Sequence, residues 1–105
     1  MAHIILVLTT MPDDDRADAV ARTLVEERLA ACVNVHGPMR STYRWKGEIE
    51  REAERQIVIK TTREQLATLE RRLHALHPYE LAEFLVVDAR GSSAYAGWVM
   101  GELAN

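Results

Sequence analysis

The sequence predicts an α+β fold of the ferredoxin-like kind, a βαββαβ sandwich with a long hairpin between its second and third strands and an extra C-terminal helix. Three observations carry this. Unbroken apolar runs stand near both ends of the chain, "IILVL" at 4–8 and "FLVV" at 84–87. Between them, two stretches repeat apolar residues at helical spacing. The segment separating those stretches alternates and turns back at Lys46-Gly47.

His3 to Thr9 is too short for a helix and is predicted as a strand buried on both faces. Pro12 fits the first turn of a following helix, and Asp13, Asp14 and Asp15 put negative charge at the positive end of its dipole. Ala17, Val20, Ala21, Leu24 and Val25 make the apolar face of that helix, with Arg16, Arg22, Glu26 and Glu27 in water. Cys32 to Trp45 is the second strand, with Val33, Val35, Met39, Tyr43 and Trp45 on one face. Glu48 to Thr61 returns as the third, so each arm has about 14 residues against about 5–6 for an ordinary strand. The outer half of the returning arm, "EIEREAER", has almost no apolar content, and Gly37-Pro38 predicts a bulge or bend between the halves. Thr61 or Thr62, each three residues before Glu64 or Gln65, predicts a capping box opening a second helix. That helix buries Leu66, Leu69, Leu73 and Leu76, and Pro78 stops it. Glu80 to Ala89 is the predicted fourth strand. After a turn at Gly91-Ser92-Ser93, Tyr95, Trp98, Val99 and Leu103 ride a short helix.

The 105 residues make one predicted domain, 1–105. Thirteen basic residues interleaved with 16 acidic ones give no positive field for a phosphate backbone or an anionic membrane surface, so neither nucleic acid nor membrane is an expected partner. "MAHIILVLTTMPDDD" has no basic flank before its short apolar run and fits neither a signal peptide nor a membrane span. A lone cysteine, Cys32, suits a reducing compartment, and the expected location is cytoplasmic. Strands apolar on both faces, in a chain with too few helices to cover them, predict another subunit over the bare face.

In "LAACVNV" (29–35), "STYRWKGEIE" (41–50), "IVIKTT" (57–62), "HPYELAE" (77–83) and "YAGWV" (95–99) the sequence resembles the CutA family of divalent-cation tolerance proteins over nearly its whole length. The resemblance implies a ferredoxin-like homotrimer whose hairpin arms pack onto neighbouring subunits, a link to copper and other divalent metals, and no established reaction. Bacterial relatives proposed to bind copper carry a cysteine at the end of the first strand and a His-His pair before Pro-Tyr. Here Thr9 and Leu76-His77 stand at those places, so only His77 remains, and loss of the thiolate weakens affinity for Cu(I) above all.

Glu70, His74 and His77 fall at i, i+4 and i+7 of a helix, where a carboxylate and two imidazoles can hold a transition metal. The same histidines also suit the negative end of a helix dipole, and Glu70 with His74 is an ordinary surface pair. Cys32 is expected to be a buried, inert thiol, and His3 and His36 packed or solvated imidazoles. Tyr43 and Trp45 are expected trimer contacts, Trp45 as an anchor at the arm's end, although an exposed indole also stacks on ligands. Lys60, Tyr79 and Glu83 join His77 at positions matching the family, bordering an expected intersubunit cleft, and Lys60 with Glu83 forms either a structural ion pair or part of a ligand site.

Three functions compete. One is a trimeric binding or regulatory protein, with clefts for a metal ion or small anion, like the PII signalling proteins of similar architecture. A second is a scaffold that anchors another protein through its arms. The third is an enzyme on the analogy of acylphosphatases, whose phosphate-cradling signature is absent from this sequence, so the expected answer is no catalysis.

Overall fold

Alternation along the first strand divides the molecule into two layers. Ile5, Val7 and Met11 point one way and are buried with Ile57 and Ile59 of the third strand beneath Ala17, Val20, Leu24, Leu69 and Leu73 of the two long helices. Ile4 points the other way and packs with Ala31, Ala96, Val99 and Leu103, so the last helix lies on the opposite face of the sheet, at one end. The computed structural model of the protein describes residues 1–104. Its elements are β1 (Ala2–Pro12), α1 (Arg16–Glu26), β2 (Cys32–Trp45), β3 (Glu48–Thr61), α2 (Leu66–Leu76), β4 (Leu85–Gly91) and α3 (Ser93–Glu102). The sheet order is β2-β3-β1-β4 with every neighbouring pair antiparallel, the ferredoxin-like arrangement.

The hairpin has the predicted limits. Lys46 (φ 49°) and Gly47 (φ 83°) both take left-handed backbone, the requirement of a tight two-residue loop between twisted strands. At the Gly37-Pro38 step the β2–β3 register shifts between His36 and Met39, which is the predicted bulge.

Three local expectations are corrected. Pro12 closes β1 opposite Glu54 instead of opening α1, a place at a strand end where its missing N–H costs nothing. The N-terminal turn of α1 is tied instead by the Arg16 N–H donating to Asp14 Oδ1 at 2.9 Å. The capping box does not form: α2 is preceded by a 3-10 turn over Arg63–Gln65, with Thr62 making no side-chain cap bond. Its would-be members are committed elsewhere, Thr61 Oγ1 donating to the Leu29 carbonyl (2.8 Å) and Gln65 Nε2 to the Ala104 carbonyl (2.6 Å). Finally, β4 begins at Leu85, not Glu80, pairing with Ala2–Leu8 only. Residues 80–84 run as a loop beside the far end of β1. Within α2, Leu69 and Leu73 are fully buried, while Leu66 and Leu76 are half-buried at its ends.

Away from α3 the far face of the sheet stays apolar and open. Leu85 and Val87, which pair with Leu8 and Leu6, are 52% and 41% exposed. No helix among the described residues is long and apolar enough to cross a membrane.

Gly37 tests the bulge. Its φ of 129° is disfavoured for any residue with a Cβ, and a Cβ there would lie 3.2 Å from Arg55 Cγ. Gly37→Ala is expected to cost about 1–3 kcal/mol, measured as a lower urea midpoint with an unchanged slope.

Candidate functional site

The site begins where β4 ends. Opposite Thr9–Pro12 the sheet has no β4 partner, and the chain leaving α2 fills that place. Pro78 forces His77 out of the helix into extended backbone (φ −77°, ψ 135°), which turns its imidazole toward the sheet. His77 Nδ1 accepts from the Tyr79 N–H at 3.1 Å, so the ring proton sits on Nε2, which donates to the Thr10 carbonyl at 2.7 Å with Thr9 Oγ1 3.4 Å away. The Tyr79 ring packs on the imidazole at 4.9 Å, and its hydroxyl donates to Glu54 Oε2 at 2.7 Å. One continuous set of contacts thus joins the strand end, the loop and the hairpin arm.

These contacts frame a cleft of about 680 Å³ between the arm and the loop 78–83. Tyr43 and Trp45 form its wall on the arm, Tyr79 its floor beside Glu54, and Glu80 and Glu83 its other rim. Glu83 Oε2 lies 3.4 Å from Gln56 Nε2, which also donates to the Thr9 carbonyl at 2.8 Å. Glu54 is 5% exposed. The chain supplies its carboxylate with one donor, the Tyr79 hydroxyl, and no fully occluded side-chain atom among the described residues is left without a partner, so its second oxygen opens to the cleft it lines. Burial and the Glu54 hydrogen bond push the Tyr79 phenol well above its usual range, and burial with nearby Glu52, Glu50 and Glu54 raises that of Tyr43. Both are neutral phenols at physiological pH.

Of the predicted residues, Tyr43, Trp45, His77, Tyr79 and Glu83 come together. Lys60 does not: it stands four residues from Gln56 along β3, about 13 Å at strand rise, with its ammonium 5.7 Å from the Tyr95 ring centroid. No Lys60–Glu83 pair forms. The Glu70–His74–His77 stripe does not converge either, because His77 has left the helical register; Glu70 and His74 stay on the exposed side, His74 tilted against Phe84 at 6.3 Å. Among the described residues no three His, Cys, Asp or Glu side chains are placed to hold one metal ion. Cys32 is half-buried rather than buried, opposite Lys60, and His3 and His36 are solvated.

Glu54, Gln56, Glu80 and Lys46 were not singled out from sequence. The signal for Glu54 was present: "EIEREAE" puts Glu48, Glu50, Glu52 and Glu54 on one face of β3, in register with Trp45, Tyr43, Ser41 and Met39 of β2.

A family model described as CutA1 divalent ion tolerance protein matches residues 5–102. The divalent-cation tolerance protein CutA of Thermus thermophilus is 41% identical over 90% of this chain and 92% of its own length. The protein CutA homolog of Xenopus laevis is 40% identical over 86% of this chain, which spans only 60% of that longer relative. The crystal structure of CutA from Xylella fastidiosa superposes with a TM-score of 0.92, at 41% identity, over 96% of this chain and 98% of that one.

His77 gives the site a pH dependence. Burial holds its imidazole below the ordinary value of 6.5, and His74 adds to this, against the opposing pull of the Thr10 carbonyl and Glu54. The unfolded chain therefore takes up a proton near pH 6.5 while the folded chain resists until lower pH, and stability falls as the pH drops through that window. The urea midpoint of the wild type is expected to fall more between pH 7.5 and 5.5 than that of His77→Gln, which has no proton to gain. Equal falls would show that burial does not hold the His77 imidazole in its neutral form.

Proposed function

The chain belongs to the CutA1 divalent ion tolerance family, and on that premise we propose that it serves metal-ion tolerance in the cytoplasm as a homotrimer that binds divalent cations weakly at its clefts and catalyses no reaction. The observation that carries the cation-binding reading is the sorting of charge on the hairpin. Four glutamates of β3 share one face, and Glu54, Glu80 and Glu83 are spread along the cleft beside it, with no basic side chain among the described lining residues. That lining favours cations and opposes the small anion that was the alternative.

The donors suit hard or borderline ions better than copper in its soft reduced form. Thr9 stands in place of a thiolate, and both nitrogens of His77 are already engaged, so an ion at that ring must displace the Tyr79 N–H or the Thr10 carbonyl. Carboxylates from one chain leave coordination positions open, which a neighbouring subunit at the cleft mouth can complete. Assembly is supported separately by the open apolar strip of Leu6, Leu8, Leu85 and Val87, which a second chain would cover. Tyr43 and Trp45 stand where the arm would meet that neighbour.

Light scattering at micromolar concentration is expected to report three chains, and a stable monomer would remove the intersubunit reading. Trp45→Ala is expected to weaken assembly by at least about 2 kcal/mol, the usual loss at an aromatic anchor. Calorimetry with Zn(II) and Cu(II) should give weak binding at pH 7.5 and less at pH 5.5, because carboxylate and neutral imidazole are the ligand forms. Heat unchanged in both Glu83→Gln and His77→Ala would place the ion elsewhere, with Glu70 and His74 the next pair.

A further inference from the structure

We propose that the back of the hairpin arm, the face turned away from the cleft, docks an acidic, extended segment of a partner protein that presents carboxylates at alternate positions beside an apolar side chain. This is independent of the cleft and of any metal there. Alternation sorts the arm into two faces of opposite character: Glu48, Glu50 and Glu52 share the face of Tyr43 and Trp45, whereas Arg40, Arg44 and Arg51 lie on the other. Arg51 pairs with Thr42, so Arg40 and Arg44 are its two diagonal neighbours, each about 7–8 Å away. Three guanidiniums thus stand in a zigzag about 13 Å long. All three are exposed, and none joins an ion pair among the described residues. Their mutual repulsion burdens a ribbon that is marginal by itself, and an anionic partner relieves it.

The alternation of β3 runs from Ile59 and Ile57, beneath the helices, through Arg55 to Arg51 and Ile49, so the basic face continues the helix side of the sheet. The open apolar strip of Leu6, Leu8, Leu85 and Val87 is on the other side. A subunit covering that strip leaves the arginines in water. Ile49 decides the kind of partner: it stands opposite Arg44 and two residues from Arg51, and it is 66% exposed. A phosphate polyanion gains nothing from it, while a peptide buries it beside an apolar residue. The glutamates on the reverse of the arm and a formal net charge of −3 also oppose a long phosphate chain, whereas close pairing of carboxylate with guanidinium survives them. Carboxylates on alternate residues of an extended chain recur about every 7 Å, which matches the diagonal spacing of these arginines. A small anion finds no concave seat on the face of a two-stranded ribbon.

The test is calorimetric titration of the full chain with a synthetic peptide in which threonine alternates with one leucine and three glutamates. Its glutamine analogue is the neutral control, and inorganic polyphosphate is the phosphate probe. The acidic peptide is expected to bind, more weakly in high salt, and the glutamine analogue not. Arg51→Gln is expected to lower peptide affinity about fivefold or more, and Ile49→Ser about threefold. Arg71→Gln removes the same charge from the exposed side of α2 and should leave affinity unchanged. Light scattering is expected to give Arg51→Gln the mass of the wild type, and its urea midpoint should be equal or higher, since repulsion is relieved. Equal effects of Arg51→Gln and Arg71→Gln would overturn the proposal. So would polyphosphate binding that exceeds peptide binding and is indifferent to Ile49→Ser, which would mark a phosphate site. A smaller assembly in Arg51→Gln would give this face to a neighbouring copy of the chain and overturn it as well.

Discussion

The mismatch between an 11-residue β1 and a 7-residue β4 is the constraint from which the cleft follows. β4 covers β1 only as far as Leu8, and the remaining strand end would otherwise present unpaired backbone at the border of the core. His77 answers that need through the Thr10 carbonyl, and can do so because Pro78 throws it out of the helix at the right point. Once the ring is fixed at both nitrogens, Tyr79 is placed by its own N–H, and its hydroxyl reaches Glu54. A backbone deficit in the sheet thereby fixes the position of an acidic group in a cleft.

Glu54 illustrates the balance involved. A carboxylate 5% exposed is costly unless its oxygens are bonded, and a charge-assisted bond from a neutral phenol returns about 1.5–3 kcal/mol. That bond satisfies one oxygen. The other has no donor among the described residues, which leaves it able to accept from a group that the cleft admits. His77 has the opposite character: with both nitrogens engaged it is a structural residue first, despite its place in a stretch rich in metal-ligand types.

Where the sequence had one strong local signal, structure followed it. The limits of β2 and β3 came from alternation and from Lys46-Gly47, and the family was legible in motifs such as "HPYELAE". Expectations failed where a residue's local preference lost to a distant partner. Thr61 and Gln65 have capping chemistry but spend it on the Leu29 and Ala104 carbonyls. Glu80 to Phe84 looked like strand because "FLVV" is continuous with it, yet the loop was needed to close the end of β1. Lys60 and Glu83 looked like a pair only while both were expected at the border of one intersubunit cleft. Glu54 was overlooked because a run of charges suggests a solvated face, although period-2 spacing sorts the charges in "EIEREAER" onto two.

That sorting bears on how the arm holds its shape. A two-stranded hairpin is marginal by itself, and this one has little apolar surface beyond the bulge. Its base is pinned by Arg55 to Asp13 at 2.8 Å and by Tyr79 to Glu54, and its tip by Lys46 to Glu80. Of these, the first two are partly shielded and the last is exposed, so restraint weakens toward the tip. The cleft is therefore firm at Glu54 and yielding at Trp45. A wall graded in this way admits a ligand, or the arm of a neighbouring chain, at its outer end without disturbing the hydrogen bonds that define its floor.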